Sequence, residues 1–365
     1  MSLLDRLAGK RVVVVAGSGG VGKTTTSAAI ALGLAARGRR VAVVTIDPAQ
    51  RLAQALGLEE LGNEPRRVDP ARLGGHGLAV SGELWAMMLD PKRTFDDLIA
   101  RLAPDARTRD DVLANRIYQE LSGAVAGSQE FTAIAKLYEL DREGDFDVLV
   151  LDTPPSRNTL DFLDAPDRLT GFFEGRALKV LLAPTGLAAR VVGRGGSVMF
   201  GVLRRVTGVD VLADLSGFFR ALGGLIEGFR ERAAGIKRLL ADPATTFLVV
   251  ASPEREPVEE AIFFHARLRE AGLPFGGLVI NRVHGDEYPE ASAEEVAAAL
   301  EEPLGAVLAG AVGENVAAFR RLAARDARAI ERLRSRRGVD DPALVPHLDG
   351  DVHDFAGLAA IQRHL

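Results

Sequence analysis

The stretch Val12 to Thr26, VVVVAGSGGVGKTTT, decides how the rest of the chain is read. Its first five residues, Val12 to Ala16, are an apolar run of strand length. A glycine-rich turn follows, and Thr24 to Gly38, TTTSAAIALGLAARG, carries on as a helix. Gly17, Gly22, Lys23 and Thr24 fill the spacing G-x-x-x-x-G-K-[ST]. In that spacing backbone N–H groups converge on a polyphosphate, the lysine neutralises it and the hydroxyl ligates Mg²⁺. The predicted nucleotide contacts are therefore Gly17, Ser18, Gly19, Gly20, Val21, Gly22, Lys23, Thr24 and Thr25. The helix that opens here turns its positive N-terminal dipole on the same point.

Further apolar runs surround this one. Val41 to Asp47, VAVVTID, is continuous enough to be buried on both faces of a parallel sheet, and Asp47-Pro48 ends it. Glu83 to Leu89 is closed by Asp90-Pro91, and Phe146 to Asp152, FDVLVLD, is the next buried strand. TTFLVVAS from Thr245 and FGGLVIN from Phe275 complete the set. Ligands of parallel sheets bind outside the carboxyl ends of the strands, so Asp47, Asp152 and Asn281 are expected to converge on the loop. Asp152 has the position of a carboxylate that holds Mg²⁺, usually through water. Asp47 is placed to orient or deprotonate the attacking water, with a turn-forming Asp-Pro as the rival reading. Asn281 has the paired donor and acceptor that read a base edge, with a plain turn residue as its rival. Arg282 joins it as a predicted nucleotide contact.

Between the strands lie helical blocks. The fold class this implies is α/β, a mostly parallel sheet flanked by helices, with an inserted helical subdomain. The nucleotide-binding domain takes 1–91, 141–163 and 242–365, interrupted by helical blocks at 92–140 and 164–241. Gly57 to Gly77 reads as a connection. In the second block Val211, Leu215, Phe218, Leu222, Leu225 and Phe229 recur at helical spacing, as packed core or as a groove for a hydrophobic client. Glu314 to Arg337 carries eight arginines against three acids and reads as a solvated helix face.

Composition limits the chemistry. The 365 residues are 47% hydrophobic, and the mean hydropathy is +0.08, enough for a large core. A net charge of −5 argues against nucleic acid as a partner. The absence of cysteine excludes disulfides, thiolate-bound zinc, iron–sulfur clusters and thiol coordination of arsenic by this chain. No run reaches about 18 apolar residues without charge, and Val12 to Ala16 is too short for a signal-peptide core. A cytoplasmic protein, transiently at the membrane, is the expectation.

GSGGVGKTT, TIDPAQRLAQAL, FDVLVLDTPPSRNTLDFL and GGLVINRV, in this order, resemble the phosphate loop, switch I, switch II and adenine motif of the ArsA-type anion-pump ATPases and their tail-anchored-protein targeting relatives. LDP at Leu89 to Pro91 and GSQEF at Gly127 to Phe131 resemble the family as well. The resemblance covers nearly the whole chain. It implies ATP and Mg²⁺ as cofactors, with Lys23 and Thr24 on phosphate and metal. It also implies Asp47 and Asp152 as catalytic and metal-holding switch carboxylates, and Asn281 on adenine. It further implies a dimer, of two copies or with a paralogue, whose helical parts grip or release a client. A hydrophobic membrane-protein segment or membrane partner fits a chain without cysteine better than arsenite does, and no zinc is expected at the dimer contact. An arsenite or anion-pump subunit, a partitioning ATPase and a weakly hydrolysing nucleotide sensor stay as alternatives. Ser18 stands where the family has a signature lysine, and Arg157 where it has a glycine.

Overall fold

The computed structural model describes residues 1–47, 51–73, 79–116, 118–119, 129–153, 223, 225–285, 291–335, 341–348 and 350–365. Its centre is an eight-stranded sheet in the order β3-β4-β2-β5-β1-β6-β7-β8. The strands are β1 (Val12–Ala16), β2 (Arg40–Thr45), β3 (Arg66–Arg67), β4 (Glu83–Met88), β5 (Val148–Asp152), β6 (Thr245–Ala251), β7 (Phe275–Val283) and β8 (Ala343–Pro346). All neighbouring pairs are parallel except β3 with β4. The stretch expected to be a plain connection thus supplies an antiparallel edge strand. Its Arg66 and Arg67 are both exposed, and such charges keep an edge from pairing with another chain.

The apolar runs became strands because both faces of the sheet are covered. Successive residues of β1 feed opposite cores. Val12, Val14 and Ala16 pack on one side and Val13 and Val15 on the other, each at most 2% exposed. Burying one such valine contributes about 1.5–3 kcal/mol. One face is covered by α1 (Leu3–Leu7), α2 (Lys23–Ala36) and the C-terminal helix Phe355–Gln362, and two short helices lie between β2 and β4. Those short helices are α3 (Arg51–Ala55) and α4 (Pro70–Leu73).

The other face is covered by α5 (Pro91–Leu102), α6 (Ala106–Leu113), α7 (Gln129–Glu143), α8 (Ile226–Ala241) and α9 (Arg255–Glu270). Phe229 of α8 stacks on Phe95 of α5 at 6.2 Å, and Leu225 and Phe229 are buried. These two residues of the predicted apolar seam are therefore core; Val211, Leu215, Phe218 and Leu222 lie outside the described residues, as does Arg157.

A hairpin of α10 (Ala293–Leu304) and α11 (Ala306–Arg334) leads to β8, and α12 is the C-terminal helix Phe355–Gln362. The arginine-rich helix begins well before Glu314, because Gly305, at φ +78°, is the break that separates α10 from α11. Among the described charged residues of this helix one is not solvated. Asp326 is wholly buried and accepts from the His284 backbone N–H at 3.0 Å and lies 2.8 Å from its Nδ1, with Arg325 on its other oxygen at 2.9 Å.

Candidate nucleotide site

The loop leaves β1, the strand between β5 and β6, at its carboxyl end. Gly17 opens it with φ +152°, and a Cβ there would run into the Val250 carbonyl oxygen of β6. Gly22, at φ +91°, is the N-cap of α2 and supplies no side-chain cap. The first N–H groups of a 14-residue helix are therefore left without a capping side chain at the mouth of the loop. Lys23, only 6% exposed, curls back so that its Nζ donates to the carbonyls of Gly17 and Ser18, each at 2.8 Å. Burial pulls its pKa down, while the carboxylates of Asp152, Asp47 and Glu260 push it up; the net is a lowering.

Asp152, the last residue of β5, is 1% exposed and ties two elements together. Its Oδ2 accepts from the Thr24 hydroxyl of α2 at 2.7 Å and from the Thr45 hydroxyl of β2 at 2.8 Å. Its Oδ1 is buried with no protein partner among the described residues. Burial raises its pKa to about 6, with Asp47 adding to the rise and Thr24, Thr45 and Lys23 opposing it. A threonine hydroxyl beside a carboxylate with one oxygen unsatisfied is a hard-oxygen donor set, which suits Mg²⁺.

Asp47 follows β2, and its backbone N–H donates to Thr45 Oγ1 at 3.1 Å. Thr45 thus links the two carboxylate-bearing strand ends, accepting from one and donating to the other. Asn281 is buried against the loop. Its Nδ2 donates to the Val21 carbonyl at 2.9 Å, and its Oδ1 accepts from the Arg282 N–H at 3.0 Å. Arg282 adopts φ +61°, the left-handed region that costs a non-glycine residue on the order of 1 kcal/mol or more, and the β7–β8 register breaks there. Gly17 through Thr24, Asp47, Asp152 and Asn281 therefore share one end of the sheet. Thr25 is in the first turn of α2.

Two residues of the site escaped the sequence reading. Thr45 had a visible signal, a hydroxyl ending an otherwise apolar strand. Glu260 had none, since it comes from α9, more than 200 positions away. Ser18, 8% exposed, donates its hydroxyl to Glu260 Oε2 at 2.5 Å. A carboxylate therefore stands at the loop position where the resemblance led one to look for a cation.

A loop of this form at the carboxyl end of a central parallel strand, with the helix threonine held by a carboxylate from the adjacent strand, is that of a P-loop NTPase fold. More narrowly, the chain belongs to the Anion-transporting ATPase family, whose sequence profile matches residues 10–301. It is 31% identical to an arsenical pump-driving ATPase of Acidiphilium multivorum over 78% of this chain and 40% of that protein. It is 36% identical to ATPase get3 of Aspergillus terreus over 43% of each chain, and 28% identical to ATPase GET3 of Rhodotorula glutinis over 76% of this chain and 70% of that one. The chain spans under half the length of the first two. Among the described residues no helix is long and apolar enough to cross a membrane.

Proposed function

We propose that this chain is a Mg²⁺-dependent ATPase that works as a dimeric switch, with two copies or a paralogue, and handles hydrophobic protein segments or a membrane partner. The observation that carries the reading is the Thr24–Asp152–Thr45 contact, which joins loop, β5 and β2 at the uncapped end of α2. Lys23 and the N–H groups of the loop hold the phosphates, and Asn281 with Arg282 borders the base. Asp47 orients or deprotonates the attacking water. Thr24 and Asp152 would hold Mg²⁺, which would neutralise charge on the phosphates.

Because Asp152 bonds to both Thr24 and Thr45, a change at the phosphates is felt on β2 and β5 together, and Asp47 follows β2 directly. That is the means by which nucleotide state would reach the helical blocks 92–140 and 164–241, which we propose move as one unit on the nucleotide-binding segments. A hydrophobic client is supported by exposed Leu304, Val307 and Leu308, at 43, 87 and 60%, clustered where α10 meets α11. The absence of cysteine weighs against arsenite as cargo, although one relative carries the name of an arsenical pump-driving ATPase.

The test is ATP hydrolysis by the purified chain with and without Mg²⁺, beside equilibrium ATP binding. Mg²⁺-dependent turnover that Lys23→Ala reduces on the order of a hundredfold or more supports the reading. Tight binding without turnover would favour the nucleotide-sensing alternative, and neither binding nor turnover would remove the nucleotide assignment.

A further inference from the structure

At the opposite end of the sheet from the phosphate loop, where β2 and β4 begin, lies a cavity of about 490 Å³. That volume is within the range of small-molecule sites, roughly 300–1,000 Å³. Its walls come from the starts of these strands, from α5 and α7, and from the turn before β5. Trp85 and Phe146 form an apolar wall, edge to face at 5.9 Å. The Arg40 guanidinium lies 5.3 and 5.4 Å from their ring centroids and is held by Glu83 at 3.1 Å.

Another part of the lining is cationic. Glu139, 8% exposed, receives Arg101 at 2.6 Å, Lys136 at 2.7 Å and Arg232 at 3.3 Å, three cations around one buried carboxylate. Arg101 and Lys136 also line the cavity. Arg101 has a second, longer contact with Glu143, which leaves the cluster positive. Lys136 is 7% exposed and has three N–H donors, and Glu139 is its one partner among the described residues. An ammonium buried to this degree needs further acceptors, and the cavity is where they can enter.

The same lining offers the opposite charge, in Glu64, Asp97, Glu143 and Asp145. Asp97 sits on α5 four residues from both Arg93 and Arg101, is half-buried, lines the cavity, and has no hydrogen bond or ion pair among the described residues. A wall with unspent donors, an unspent carboxylate and an apolar surface between charged groups matches a ligand with both charges and an apolar body. We propose that this cavity binds a small zwitterion of amino-acid or dipeptide size. Its carboxylate would meet Lys136 and Arg101, its ammonium Asp97, and its side chain the Trp85–Phe146 wall.

Trp85 is the chain's only tryptophan, so its emission reports this cavity without reference to nucleotide turnover. The experiment titrates the full chain with phenylalanine, and with phenylacetate and phenethylamine, which each keep one of the two charges. Phenylalanine is expected to change the emission saturably, with each single-charge analogue at least about tenfold weaker. Asp97→Asn should weaken phenylalanine by a similar factor while leaving phenylacetate unchanged, and Lys136→Gln should weaken both. Asp97 has no hydrogen bond or ion pair among the described residues, so its variant keeps the test valid should Lys136→Gln fail to fold. Phenylacetate binding as tightly as phenylalanine, no effect of Asp97→Asn, or no saturable change with any of the three compounds would overturn the proposal.

Discussion

At Glu260 and Asp47 single side chains set the electrostatics of the phosphate loop. Glu260 is half-buried, takes the Ser18 hydroxyl and lies near enough to Lys23 to influence its charge, so it opposes an incoming polyphosphate. Glu260→Gln is therefore expected to tighten ATP binding by about three- to tenfold, the scale of one partly screened charge. Ser18→Lys places a cation against the same carboxylate and should tighten binding too. Combined, the two changes should gain less than the sum of the singles, because both cancel one charge. Isothermal titration of the four proteins measures this, and strict additivity would mean that Ser18 and Glu260 act independently. Asp47→Asn acts on another step. It alters the group assigned to the attacking water and removes a negative charge that acts on Lys23, so ATP affinity should hold or rise by up to about tenfold while turnover falls by on the order of a hundredfold or more. Equal losses in both would make Asp47 a structural residue.

Elements differ in how far local sequence decides them. The unit β1–loop–α2 was legible because strand, turn and helix are contiguous and Gly17, Gly20 and Gly22 all take positive φ in the turn. Asp152 and Asn281 were legible because they end apolar runs, and parallel pairing brings such ends together. The Ser18–Glu260 contact and the cavity beside Trp85 were not, since they exist only once α9 meets the loop and α5 and α7 meet β4. The limits of α11 were obscured by alanine-rich sequence on both sides of Gly305, and the burial of Asp326 by the arginines around it. Asp326 anchors α11 to the end of β7 through His284. Burial pushes its carboxyl up, but the His284 and Arg325 hydrogen bonds outweigh this and hold the pKa below the ordinary 3.8. A lowered folded-state value means that its stabilisation is present above about pH 4 and fades as pH falls through the folded value. Asp326→Ala should cost about 2–4 kcal/mol at neutral pH, since it strands the His284 N–H, and it should flatten the acid limb of the stability curve. Urea midpoints at neutral and acid pH check both, and an unchanged acid limb would show that other carboxylates govern it.

For the molecule as a whole, absent side chains constrain assembly as much as present ones. The resemblance to targeting ATPases raises the question of whether two chains are joined through a metal, and zinc at such a contact needs thiolates or imidazoles in a tight cluster. This chain has no cysteine and six histidines, and among the described residues no group of three or more His, Cys, Asp or Glu is arranged to hold a metal ion. His284 and His347 do stack, at 5.0 Å, but His284 turns its Nδ1 to Asp326, which makes it part of the α11 anchor. Any dimer this chain forms should therefore depend on packed surfaces and on nucleotide. Its sedimentation should be the same with EDTA and reductant as without them, provided that ATP is replaced by a nucleotide whose binding does not require the chelated Mg²⁺ or that no nucleotide is present. Elemental analysis should find zinc far below one per two chains. Stoichiometric zinc, or dissociation by EDTA in the nucleotide-free state, would mean that two chains assemble a ligand set that neither carries alone, and the dimer contact would then have to be sought around the histidines.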